Sequence, residues 1–163
     1  MKYLSIALLL FSILTGVKAA DLSETEVFYQ NKSIKLSGVV LKSKMQDKQK
    51  SIGVVVIQGS GNSDRTNAWS YEFAAYLAES GFTVLLTDKR GCGKSEGSWK
   101  TASMSDLALD AIAGVEFLLN TSSMGVQKVG LLGLSQGGMI VPAAAVMSSR
   151  VSFVIDASGS AMS

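Results

Sequence analysis

The chain has 163 residues, and its 15 basic against 13 acidic side chains give a formal charge of +2. The excess of two is matched by Lys2 and Lys18 in the leader-like start, so no electrostatic case remains for a nucleic acid or an anionic membrane as partner. One cysteine excludes an internal disulfide and thiolate clusters, and the absence of histidine excludes the commonest zinc sites, so no metal and no cofactor is expected.

Residues 1–19 have the three parts of a secretory signal: basic Lys2, the apolar run Leu4 to Leu14, and Val17-Lys18-Ala19 before the cut. The run is too short to span a bilayer comfortably. The expectation is cleavage, a secreted or periplasmic product, and no stable membrane span. Residues 20–163 then suit one domain.

Val27 to Tyr29 and Ile34 to Leu41 read as an antiparallel hairpin around the turn Asn31-Lys32, with Gly38 marking a bulge. The polar stretch 42–51 is a loop. Ile52 to Ile57 is a continuous β-branched run, the pattern of a strand buried on both faces. A glycine-rich loop follows, Gln58-Gly59-Ser60-Gly61. A helix comes next, with Trp69, Phe73 and Leu77 as its repeating apolar positions and Gly81 at its end.

Phe82 to Leu86 is a further strand, leading into the loop Asp88-Lys89-Arg90-Gly91-Cys92-Gly93-Lys94-Ser95-Glu96-Gly97. Ser103 with Asp106 can cap the next helix, whose buried stripe is Leu107, Ala111, Val115 and Leu118. The strand Val129 to Leu132 enters Gly133-Leu134-Ser135-Gln136-Gly137. Met139 to Met147 is a helix that Pro142 should kink or in which it should leave a carbonyl to be satisfied elsewhere, and Val151 to Ile155 is the last strand. Strands alternating with helices after a hairpin predict an α/β fold, a mostly parallel, doubly wound sheet of about six strands. In such sheets chemistry collects at the carboxyl ends of the strands, where all three glycine-rich loops fall.

G-x-S-x-G between a strand and a helix puts a serine on a sharp turn, with the free N–H groups of the helix start beside it. Ser135 is therefore the candidate nucleophile, and Gly133 and Gly137 are the glycines the turn needs. Together with the Asp88 to Gly97 loop, of the form D-x-R-G-x-G-x-S-x-G, it makes residues 26–156 resemble the α/β-hydrolase superfamily, near secreted bacterial serine esterases and the serine aminopeptidase branch. Gln58-Gly59-Ser60-Gly61 stands where many members carry His-Gly-x-Gly. The resemblance implies an acyl-enzyme on Ser135, an oxyanion hole from the backbone N–H groups of Gln136 and Ser60, and a small ester, acyl or peptide substrate. It also implies structural roles for Asp88 and Arg90.

The departures from the family pattern are equally informative. A serine needs a base, and the base needs an orienting acid; in this superfamily the order is serine, acid, histidine. With no histidine in the chain, residues 20–163 read as the N-terminal part of a hydrolase domain, the acid and histidine lying beyond residue 163, and little turnover is expected of these residues alone. Asp156 reads as a turn aspartate, or as an acid one strand early. Lys94 and Lys128 are conceivable serine–lysine partners. Two other functions compete: a nucleotide site, because Gly93-Lys94-Ser95 mimics the end of a P-loop, and an inactive fragment or binding module on the same fold.

Overall fold

The computed structural model describes residues 21–45, 47, 49–157 and 159. The expected signal at residues 1–19 lies outside them. Strands β1 (Leu22–Asn31), β2 (Ile34–Ser43), β3 (Ile52–Ile57), β4 (Thr83–Thr87), β5 (Lys128–Leu134) and β6 (Val151–Ala157) form one sheet in the order β1-β2-β4-β3-β5-β6. The hairpin β1–β2 is antiparallel and β2 joins β4 antiparallel, while β4, β3, β5 and β6 run parallel. This is the fold class the alternation of elements predicts.

Because side chains alternate along a strand, the sheet has two apolar faces. Val55, Ile57, Leu85 and Leu131 point to one, where α2 (Met104–Asn120) and α3 (Gln136–Met147) cover them. Val54, Val56, Val84, Leu86 and Leu132 point to the other, under α1 (Ala68–Glu79). The central runs have polar residues on neither face because both are covered. Helix α2 starts as expected. Ser103 accepts the Asp106 N–H at 3.1 Å, and the Asp106 carboxylate accepts the Ser103 N–H at 2.9 Å, a complete capping box over the buried Leu107, Ala111, Val115 and Leu118.

The structure differs from the sequence reading at Gly38, α1 and α3. Gly38 is not a bulge: β1 and β2 pair without a register break, and Gly38 lies opposite Val27. A Cβ at Gly38 would come within 2.6 Å of the Leu86 carbonyl oxygen, so the glycine lets β2 approach the main chain of β4. The register shift of the sheet lies instead between β5 and β6, at Val129 and Gly130. The buried face of α1 is Ser70, Ala74 and Ala78, one residue on from the aromatic stripe, and Trp69 is 63% exposed. Small side chains let the helix sit close to β4 and β2. The helix starts at its Asn67 cap and ends at Glu79 with Ser80 as its C-cap, and Gly81, at φ +95°, follows to turn the chain. Helix α3 begins at Gln136, earlier than Met139, and continues through Pro142.

Candidate active site at the carboxyl edge of the sheet

Parallel pairing of β3, β4 and β5 brings the three glycine-rich loops to one edge. Ser135 links β5 directly to α3. Its backbone, at φ 53° and ψ −115°, lies in a region that residues with a Cβ rarely occupy. The turn is tethered at both ends: the Ser135 N–H donates to the Ala157 carbonyl at 3.0 Å, and the Ser135 carbonyl accepts the Gly138 N–H at 2.8 Å. The side chain makes no capping bond and is exposed.

The flanking glycines are required by contact. A Cβ at Gly133 would lie 2.3 Å from the Gly137 carbonyl oxygen, and one at Gly137 would lie 2.3 Å from that of Ile57. The turn is thus closed on itself and pressed against the end of β3. Gly59, in the loop after β3, lies over the serine, since a Cβ there would be 3.4 Å from the Ser135 Cβ. The N–H groups of Ser60 and Gln136 donate to no group among the described residues. The structure therefore brings Ser135, Gln136, Gly133 and Gly137 together, with Gly59, the residue before Ser60, over the serine.

Buried polar groups hold the surrounding loops. Gln58 is 1% exposed; its Nε2 donates to the Thr87 carbonyl at 2.8 Å, and its Oε1 accepts Ser63 Oγ at 2.6 Å and Ser70 Oγ at 2.9 Å. The Asp88 carboxylate accepts Ser37 Oγ at 2.5 Å, the Arg65 N–H at 2.9 Å and Arg65 Nη2 at 2.5 Å. Burial pushes the Asp88 carboxyl up, but the Arg65 and Ser37 hydrogen bonds outweigh it and hold the group below the ordinary carboxylate value. Arg90 pairs with Asp110 at 2.6 Å. The structural roles expected of Asp88 and Arg90 fit this geometry, each with its own partner.

Of the two lysines considered beside Ser135, Lys94 is drawn to Glu26, 2.8 Å away, and Lys128 opens β5 at the opposite end from the serine. The P-loop resemblance also dissolves, because Ser95 Oγ is occupied by the Asp88 carbonyl at 2.8 Å and the Ser37 N–H at 2.9 Å. Asp156 accepts the Gly159 N–H at 2.8 Å, as a turn aspartate does. Cys92 is a free, buried thiol. Among the described residues no cluster of acidic and cysteine side chains could hold a metal ion, and no helix is long and apolar enough to cross a membrane.

Sequence reasoning missed Lys89. Its ammonium donates to the Gly59 carbonyl, to the Gly61 carbonyl at 3.2 Å and to Gln136 Oε1 at 3.3 Å. It is 7% exposed, forms no ion pair among the described residues, and lies 5.8 Å from the centre of the Trp99 ring. Burial lowers its pKa from the usual lysine value. The only sequence signal was its place inside the charge triplet that ends a fully buried strand.

A model of the alpha/beta hydrolase fold matches residues 54–155, which run from within β3 to within β6. The chain belongs to the alpha/beta hydrolase fold family. No curated protein matches the sequence. Among solved structures, an esterase from Pyrococcus furiosus is 22% identical with a TM-score of 0.69, covering 82% of this chain and 50% of its own. A hypothetical protein from Pseudomonas aeruginosa is 23% identical with a TM-score of 0.76, covering 87% and 44%. A dienelactone hydrolase from Anabaena variabilis is 22% identical with a TM-score of 0.72, covering 85% and 64%. At these identities the likeness is one of fold. This hydrolase-fold chain spans about half the length of the first two structures.

Proposed function

We propose that this chain carries the nucleophile and oxyanion-hole part of a secreted serine hydrolase acting on carboxylic esters or related acyl bonds. The observation that carries the reading is the backbone of Ser135, a strained, doubly tethered turn that exposes a serine near two N–H groups without partners among the described residues. Strain of this kind persists only where the surroundings enforce it, and here the two backbone hydrogen bonds of Ser135 hold the turn, while Gly133 and Gly137 leave no room for a Cβ beside it.

In the proposed reaction Ser135 Oγ attacks the acyl carbonyl and loses its proton to a base. The tetrahedral oxyanion accepts hydrogen bonds from the Gln136 and Ser60 N–H groups. Collapse expels the leaving group, which takes up the proton from the base, and leaves the acyl-enzyme; water then gives a proton to the base, attacks the acyl carbon and releases the acid as Ser135 regains its proton. The base and its orienting acid come, in this proposal, from residues outside the 163, as the solved structures of about twice the length suggest. Ester hydrolysis with p-nitrophenyl butyrate tests it. The full gene product containing these residues should turn over the ester and Ser135→Ala should not, while the 163 residues alone should be nearly inactive. Turnover that survives Ser135→Ala in the full product would refute the assignment.

A binding module on the same fold is the alternative. It predicts ligand retention without turnover, and it gives no reason for a strained serine.

A further inference from the structure

We propose that Lys89 is a positioning residue for the oxyanion hole, orienting and polarising the Gly59–Ser60 peptide and tying it to the serine turn. The inference rests on the proposed serine chemistry and extends it to a side chain that has no part in the reaction as usually written.

An ammonium has three N–H donors, and Lys89 uses them on three oxygens: the carbonyls of Gly59 and Gly61 and the side-chain oxygen of Gln136. Those acceptors come from the two segments that hold Ser60 and Gln136. The contact therefore bridges the loop after β3 to the first residue of α3 and limits how far the two N–H donors can drift apart. No donor is left over for Ser135, and a lysine bonded in this way has no lone pair to offer as a base.

The Gly59 carbonyl and the Ser60 N–H belong to one trans peptide, so they point in opposite directions. Drawing the oxygen toward the ammonium turns the N–H to the far side of the peptide plane, where it meets no partner among the described residues. A positive charge on the carbonyl end also withdraws electron density from the nitrogen, which makes the N–H a stronger donor. A buried cation without a carboxylate partner is costly. The three carbonyl-type oxygens and the Trp99 face offset part of that cost. A merely structural link across this gap could have been made by a neutral side chain, as Gln58 does between β3 and β4.

Two measurements decide it. In the 163-residue chain labelled with nitrogen-15, the Ser60 amide proton should move upfield in Lys89→Met, and by less in Lys89→Gln, which keeps a donor without the charge. In the full gene product, Lys89→Met should lower kcat for p-nitrophenyl butyrate about tenfold or more, because weakening an oxyanion donor acts on the transition state. KM should stay within about twofold, since ground-state binding does not use that donor. An unmoved Ser60 amide in both variants overturns the proposal, as does an unchanged kcat in an active product. If the full product hydrolyses no ester, the hydrolase reading fails and the amide shift alone decides the role of Lys89. If Lys89→Met does not fold, Lys89→Gln carries both readouts.

Discussion

The strain at Ser135 can be measured without any substrate. A residue with a Cβ at φ 53° and ψ −115° costs about 1–3 kcal/mol relative to an allowed backbone. Ser135→Gly removes the Cβ and with it most of that cost, while glycine adds about 0.5–1 kcal/mol of unfolded-state entropy. The net expectation is a gain of about 0.5–2 kcal/mol. Ser135→Ala keeps the Cβ, so it keeps the strain. The serine hydroxyl makes no capping bond, so its loss should be nearly neutral. The two substitutions remove the same oxygen and differ in the strained Cβ and in the glycine entropy already counted. Urea unfolding followed by circular dichroism would give both free energies. For a domain of this size about 1 kcal/mol corresponds to roughly 3 °C in Tm, so a thermal scan also resolves the difference. Ser135→Gly no more stable than Ser135→Ala would refute the strain, and with it the main support for a nucleophilic serine.

Two further outcomes follow from the buried ion pair and from the sheet edge. Arg65→Ala leaves the Asp88 carboxylate buried without its cation and should lower the unfolding free energy by about 3–5 kcal/mol. The Asp88 carboxyl is held below its unfolded value of about 3.9, so its stabilisation is fully present above that pH and is lost as the pH falls through the lower folded value. Without Arg65, burial dominates, and acid unfolding followed by circular dichroism should begin at a higher pH; an unchanged acid midpoint would count against the pair. At the sheet edge, β6 pairs only with β5 among the described residues, and Val154 and Ile155 are 36% and 38% exposed. Ile155→Lys should reduce concentration-dependent association of the 163-residue chain in size-exclusion chromatography, and equal association of variant and parent would show that another surface is responsible.

The serine turn could be read from the sequence because each part of it has a local cause. A glycine that would place a Cβ 2.3 Å from a carbonyl oxygen cannot be another residue, so the chain must spell the turn out. The capping box of α2 was legible for the same reason, with both partners three residues apart. Helix α1 was not. Trp69, Phe73 and Leu77 repeat every four residues, but so do Ser70, Ala74 and Ala78, and periodicity alone cannot say which row faces the sheet. Close helix–sheet contact selected the small row, a tertiary effect. Gly38 was misread in the same way, since the contact that requires it comes from β4, about fifty residues away in sequence. Lys89 escaped because three acceptors from two distant segments define it, and none lies near it in the chain.

These long-range polar contacts share a location. Gln58, Asp88 and Lys89 all sit at the carboxyl edge of the sheet, and each ties a loop to a different segment: β3's loop to β4, the Asp88 loop to Arg65 and Ser37, and β3's loop to α3. Apolar packing is nearly non-directional, so it can hold the sheet and helices together without fixing the orientation of a peptide plane. Hydrogen bonds can, because their strength falls steeply with angle. Under the proposed function, an edge that presents a serine and two N–H groups in fixed relation has more use for buried polar clamps than for further apolar area. The distribution seen here follows that logic: apolar clusters on both faces of the sheet, and buried polar groups concentrated where orientation matters.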